Sequence, residues 1–303
     1  MANKFLTPKE IANQALATLL ETTVMVPLIH RDLTAEFTPK KIGNSIDIRK
    51  PAVFEAKPFT HAGGITIQDA QEDFVTVKID KFFDTSFSIT DTQMALELED
   101  FDTQLLTPAM QSIAQQVDAT ILDLRDDFDT IVGTDSEFPF KKPNVLLDAG
   151  AKLDQALVPY DGRYAVIGAV TKQNWLNDPL LARADQSGST EALRRASIGR
   201  DLYNFNVFHS SMIKHPGAAP ATGTPTTETD WAFHNSALAI AFAPQEIPRG
   251  ADGYVASHKG VSVRVLMNYD HTHKQSVCSV DVLFGVKTLD PNRGVLIQGE
   301  LAA

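Results

Sequence analysis

Cysteine occurs once in the 303 residues, at Cys278, so no intramolecular disulfide can form. Its neighbours Val277 and Val280 belong to a run that alternates like a strand, which predicts a buried apolar thiol. Nothing nearby supplies the positive environment that would lower its pKa and make it a nucleophile. Long apolar runs are missing too. No window approaches the ~18 uninterrupted apolar residues of a membrane-spanning helix, and no basic stretch followed by an apolar run opens the chain. That predicts synthesis in the cytosol without membrane association. Basic charge is scarce: 27 Lys and Arg stand against 38 Asp and Glu, for a net charge of -11. The acid excess falls almost entirely between residues 61 and 160. Such a middle argues against nucleic-acid affinity, which depends on Lys and Arg neutralising phosphates, and reads first as a solvated acidic face.

The usual signatures of catalysis are absent as well. There is no Gly-rich phosphate loop with its Lys-Ser/Thr, no G-x-G-x-x-G after a strand, and no G-x-S-x-G nucleophile elbow. No catalytic, cofactor or metal residue can be assigned from motifs. Absent motifs lower the expectation of an enzyme without abolishing it, because triads assembled from distant residues are invisible in a sequence. A hydrolase or transferase with a dispersed site stays open as an alternative. The chain contains no internal repeat.

What is present is strong secondary-structure patterning. Thr7-Pro8-Lys9-Glu10 is a capping box with proline at the first helical position. From there Ile11, Ala15, Leu16, Leu19, Leu20 and Val24 form one helical stripe, until Pro27 stops it. Two alternating runs follow, Ser45 up to Phe54 and Asp73 to Asp80, both predicted as strands. The polar stretch between them, Glu55 to Glu72 with Pro58 and Gly63-Gly64, makes a long hairpin with an irregular tip. A two-stranded hairpin is marginal alone in water, so this one must lie on its own domain or on another subunit. A second, longer helix begins at Thr107-Pro108 or slightly earlier. Leu106, Met110, Ile113, Val117, Ile121, Leu124 and Phe128 form its apolar stripe, and Gln111, Gln115, Asp118 and Asp123 its polar face. Asp126, Asp127 and Asp129 close it against the helix dipole; a metal site and a solvated or subunit-contacting face are the two readings.

Beyond residue 140 the pattern is mixed. A helix over Val145–Leu157, a buried strand Tyr164–Gly168, a short helix through Trp175 ending near Pro179, a Ser/Gly loop at Ser187–Ser189, a short helix through Leu193 and a strand Phe205–Phe208 are expected. Pro216 to Pro225 is a low-complexity linker, expected to be an exposed loop. Strands are predicted at Val261–Val265, at Val277–Val286 and again after Asp290-Pro291-Asn292-Arg293-Gly294. His271 and His273, with His258 upstream, read as a turn between strands before a metal site, since no further ligand completes a tetrahedral set. Helices early, mixed elements in the middle and strands late make an α+β architecture.

The order of these elements resembles the shell fold of tailed-bacteriophage capsid proteins, which encapsulins share, and most nearly its short-tailed-phage coat-protein branch. The similarity rests on Thr7–Pro27 as arm helix, Gly43–Lys81 as extended loop and Asp100–Asp127 as spine helix. It rests also on Tyr203-Asn204-Phe205-Asn206-Val207-Phe208-His209-Ser210 and on the closing run Val280–Val286 with Asp290–Gly294. Asn204 stands where the related segment has glycine. Larger relatives carry an inserted domain where this chain has only Lys214–Thr229, and no motif locates a lysine–asparagine cross-link.

The resemblance implies an N-terminal arm over 1–42, an extended β-hairpin loop over 43–90 and a peripheral domain with the spine helix over 91–139. It implies an axial α/β domain over 140–253, with 214–229 an exposed linker loop, then peripheral-domain strands over 254–290 and a C-terminal strand over 291–303 returning to the axial domain. It further implies a non-enzymatic major capsid protein that self-assembles as hexamers and pentamers into an icosahedral virion shell in the host cytoplasm. That shell would enclose double-stranded DNA without sequence-specific binding, and scaffolding protein and portal are the expected partners. An encapsulin-like compartment is the alternative use of the same fold. Leu16 and Leu20 in the arm, with Phe54, Phe59 and Ile65 in the loop, are the expected apolar subunit contacts; closure of the subunit's own core is the other reading of the same residues.

Overall fold

The first helix, α1 (Pro8–Thr22), is seen in a computed structural model that describes residues 8–31, 45–50, 61, 73–90, 102–182, 198, 201–217 and 220–302. Its stripe faces inward through Ile11, Ala12, Ala15, Leu16 and Leu19. The expected cap Thr7 lies outside the described residues. At the other end the Thr22 and Thr23 hydroxyls donate to the carbonyls of Thr18 (2.7 Å) and Leu19 (2.9 Å), and a 3₁₀ turn Val26–Leu28 containing Pro27 follows. Helix α2 (Thr107–Leu122) is entered from a π turn, Asp102–Leu106, and left through a 3₁₀ turn, Asp123–Asp127. The helical path therefore has the expected extent, but its regular part stops at Leu122 and Phe128 is already extended.

Both helices cover one face of a five-stranded antiparallel sheet. It runs β3 (Lys81–Thr90), β11 (Gln275–Thr288), β10 (Val261–Asp270), β9 (Asp252–His258), with β8 (Leu238–Phe242) pairing the far end of β11. Alternation sends Val263, Val265, Cys278, Val280 and Val282 into one core with α1, α2, Phe83 and Phe87. Of these strands the sequence pattern reveals β10 and β11; β3, β8 and β9 are visible only in the structure. The fully buried β8, Leu-Ala-Ile-Ala-Phe, is a short apolar run with no period to read.

A second five-stranded sheet is mixed, ordered β4 (Ile131–Val132), β12 (Gly294–Ile297), β7 (Asp230–His234), β5 (Arg163–Ile167), β6 (Asn206–His209). Its three inner strands, β12, β7 and β5, are buried on both faces, and alternate residues serve different cores. Ala165, Ile167, Ala232, Val295 and Ile297 join helix α3 (Val145–Gln155) and Trp175 of helix α4 (Ala169–Leu176). Val166, Trp231, Phe233 and Leu296 join the core of α1 and α2. The two sheets are thus welded through one wall. Phe128 stands edge-on to Trp231 with ring centroids 4.9 Å apart, in space that a Cβ on Gly294 would take at 2.3 Å from the Phe128 ring. Short helix α5 (Pro179–Ala182) begins at the proline expected to end its predecessor. The predicted Ser187–Ser189 loop and the helix through Leu193 lie outside the described residues.

The predicted hairpin forms from β1 (Ser45–Lys50) and β2 (Asp73–Lys78), antiparallel with Ile46 opposite Val77 and Ile48 opposite Val75. The described part of the Pro216–Pro225 stretch is exposed or half-buried, as expected of a loop, and it is also tied down. It pairs with the C-terminal residues through Gly223 N–H to the Ala302 carbonyl (2.9 Å), Thr226 N–H to that of Glu300 (3.0 Å) and Ala302 N–H to that of Thr224 (2.8 Å). Residues too polar to bury a core can still be ordered by a neighbouring strand that takes their main-chain groups.

Candidate subunit-contact surface

The hairpin is rooted in its own chain. Ile46, Ile48, Val77 and Ile79 pack on Ala239 and Ala241 of β8 and on Ala243 just beyond it, so these small residues form the seat. Gly285 on β11 lies directly under the crossing chain: a Cβ there would fall 2.2 Å from the Lys78 carbonyl oxygen. The opposite face carries Asp47 and Thr76, whose hydroxyl donates to the Asp47 carboxylate (2.6 Å), and Phe74, whose ring is 66% exposed. Phe54, Phe59 and Ile65, with Pro58 and Gly63-Gly64, lie outside the described residues. Phe74 belongs to the same hairpin and was passed over by sequence reasoning. Its signal was there, because in the alternation Phe74-Val75-Thr76-Val77 the valines take the inward face and leave the aromatic outside.

The arm residues are placed differently. Leu16 is buried in the core of its own chain, and Leu20 is half-buried against the same cluster. Physically this follows from α1 lying on α2, β9 and β10, which gives its stripe an intrachain cover. Asp118, expected on the polar face of α2, is instead 4% exposed. Its carboxylate accepts from the N–H groups of Val24 (2.8 Å) and Met25 (3.1 Å), where α1 has ended and the 3₁₀ turn has not yet supplied partners. Burial pushes its pKa up to about 6, against the lowering effect of those two hydrogen bonds.

A second exposed apolar feature lies after α3. Leu157 is 90% exposed, with φ 55°, a left-handed conformation that leucine rarely adopts. The buried Arg163 fastens this loop: its Nη2 donates to Asp154 Oδ1 (2.6 Å) and the Val158 carbonyl (2.6 Å), and its Nε to the Pro159 carbonyl (2.9 Å). The guanidinium also lies 4.7 Å from the ring centroid of Tyr160, itself 64% exposed. Alongside, Asn204 Nδ2 donates to the Tyr160 carbonyl (3.3 Å) from a tight turn in which Leu202 and Phe205 exchange both main-chain hydrogen bonds. Tyr203 and Asn204 occupy that turn at φ 51° and 66°. Asparagine tolerates this left-handed conformation better than most residues other than glycine.

The chemical candidates come to little. Cys278 is buried, and burial raises its thiol to about 12, far from a reactive thiolate. His271 and His273 sit on the turn joining β10 and β11, where His273 Nδ1 and Asp270 Oδ2 are 2.5 Å apart. Asp127 accepts from the Thr288 hydroxyl (2.6 Å), and Asp126 lies 3.8 Å from Arg125. Among the described residues no group of three or more His, Cys, Asp or Glu could hold a metal ion, and no helix is long and apolar enough to cross a membrane.

The fold, with a rooted hairpin, a helix lying along an antiparallel sheet and a mixed sheet flanked by short helices, is the one found in solved phage capsid structures. A structure from Mycobacterium phage Che8 superposes with a TM-score of 0.66 at 20% identity, covering 98% of this chain and 94% of that one. The capsid of cyanophage P-SCSP1u gives 0.61 at 13% identity over 86% of this chain and 85% of that one. A virus-like particle from Pyrococcus furiosus gives 0.53 at 10% identity over 96% and 98%. No protein-family model and no curated protein matches the sequence.

Proposed function

We propose that this chain is the major capsid protein of a tailed bacteriophage, a structural and non-enzymatic subunit that assembles with copies of itself into an icosahedral shell. The observation that carries this reading is the extent of the structural likeness to the Che8 phage structure, over 98% of this chain. A two-stranded hairpin is marginal alone in water, which supports a partner surface for the part of it beyond the seat. The Pyrococcus particle shares the fold at a lower TM-score, so a compartment shell is the weaker reading.

In the proposed mechanism the hairpin base is fixed by β8 and Gly285, and its distal part reaches a neighbouring subunit. Phe54, Phe59 and Ile65, with the outward Phe74, supply the apolar anchors there. Leu16 and Leu20 hold the arm helix against its own subunit and so aim whatever the arm contacts. Each contact is weak, and the closed lattice multiplies them. Hexamers and pentamers, a scaffolding protein, a portal and enclosed double-stranded DNA complete the proposal. The net charge of -11 suits a container whose lining must not bind its DNA tightly.

Electron microscopy and sedimentation of the purified full chain test the reading. Shell-sized particles are expected, and a chain that stays monomeric at high concentration overturns it. Deleting residues 55–72 is expected to abolish closed particles while leaving a folded subunit; normal particles at normal yield would remove the hairpin from the assembly mechanism.

A further inference from the structure

Helix α3 ends in a turn whose geometry favours glycine, and the chain has leucine there. Leu157 N–H donates to the Asp154 carbonyl (3.0 Å) and Val158 N–H to that of Leu153 (3.0 Å), the paired hydrogen bonds that close a helix through one residue in the left-handed conformation. Leu157 is that residue, at φ 55°. Glycine takes this backbone without strain, whereas the Cβ of any other residue is crowded by the main chain. The apolar contact that accompanies such a turn is made by the neighbours, since Leu153 and Val158 are both buried in one core. Leu157 itself is almost wholly exposed, so its side chain returns nothing to its own fold.

The loop that carries it is held in one shape. The buried Arg163 donates to Asp154 and to the carbonyls of Val158 and Pro159, and its guanidinium lies against the Tyr160 ring. Asn204 holds the Tyr160 carbonyl from the adjacent turn. A buried guanidinium is costly unless its donors are filled, and here the loop's own main chain fills them. Leu157 and Tyr160 therefore project from a frame that needs no ordering when something meets them, which removes a cost that flexible loops incur on binding.

We propose that Leu157 and Tyr160 form a preformed apolar contact by which one copy of this chain meets another. The inference rests on the shell reading and adds to it a contact outside the hairpin and the arm. Area and charge select the occupant. A leucine and a tyrosine offer roughly 300 Å² between them, against about 800 Å² on each side of a stable pairwise complex. A contact this small holds nothing alone and counts only when repeated around a closed assembly of one chain. The charges along the loop cancel, Asp154 and Asp161 against Lys152 and Arg163, so neither a nucleic acid nor an anionic lipid surface finds a hold there. A second copy does: in a chain of net charge -11, a locally neutral apolar patch is where like can approach like without repulsion.

Leu157→Asn tests the contact with two readouts of opposite sign. Asparagine accepts the left-handed turn and removes the apolar side chain. At concentrations below assembly, the thermal midpoint of the variant is expected to rise by about 2 °C as the strain is relieved. In sedimentation of the full chain, the concentration needed for shell-sized particles is expected to rise about tenfold, the factor for withdrawing one leucine from a buried contact. Leu157→Met keeps an apolar side chain under the same strain and should match the wild type in both. A midpoint that falls in Leu157→Asn shows the side chain serving its own fold and overturns the inference, as do particles formed by that variant at the wild-type concentration. Failure of the shell reading looks different. A wild-type chain that stops at small oligomers, which Leu157→Asn abolishes, keeps the contact and removes the shell; a wild-type chain that stays monomeric removes both.

Discussion

Asp118 joins three pieces of backbone with one side chain. It lies at the same four-residue spacing as Met110, Ala114 and Leu122, all buried, so its position on the inner ridge of α2 follows from helix geometry once that ridge is followed. The carboxylate then supplies two acceptors where the chain leaves α1. Replacing it by alanine leaves the N–H groups of Val24 and Met25 buried without partners, an expected loss of about 3 kcal/mol in denaturant unfolding. Asp118→Asn keeps an acceptor of similar shape and is expected to cost less, and it should remove the fall in stability that ends as pH rises through about 6. An alanine variant as stable as the wild type would show that water replaces the carboxylate. Asn204 is a second case in which one side chain decides the backbone. It satisfies a positive φ without being glycine, which the sequence records only as a departure from the related segment.

Among the elements, the hairpin was the most legible and its seat the least. Period-two alternation marks β1 and β2 without reference to anything else. Their support comes from the alanines of β8 and from Gly285, residues distant in sequence that carry no periodic signal. Gly285→Ala places a methyl group against the Lys78 backbone, which cannot swing aside as a side chain end would. The expected cost is about 2 kcal/mol, with faster protease cleavage between β1 and β2 than in the wild type. Unchanged stability and cleavage would mean that the hairpin base shifts freely on the sheet. The same gap between local and distant explains the missed strands. Lys81–Thr90 departs from simple alternation, and its strand character comes from a register of ten residues against β11. β7 is buried in every residue because it lies between β5 and β12, and two-sided burial erases the period that would have marked it.

For the whole molecule, the buried acids set a direction of pH dependence opposite to that of a protein held by exposed ion pairs. Asp118 and Asp230 both bind protons more tightly folded than unfolded, at about 6 and about 7 against an ordinary 3.8. Stability therefore falls as pH rises through those values, and the excess negative charge works the same way by self-repulsion. The thermal midpoint is expected to be higher at about pH 5.5 than at about pH 8, with the dependence reduced in the Asp118→Asn, Asp230→Asn double variant. A midpoint that rises toward alkaline pH would contradict both assignments. The sequence alone determined what depends on near neighbours along the chain: the helix starts and stripes, the hairpin, the alternating late strands, the inert cysteine and the order of elements. Only the tertiary structure decided which face of each element is covered, because cover comes from residues far away in sequence. That is why Leu16 lies in the core of its own chain, why a polar Asp118 is buried, and why the 216–225 stretch is tied to the C-terminal residues.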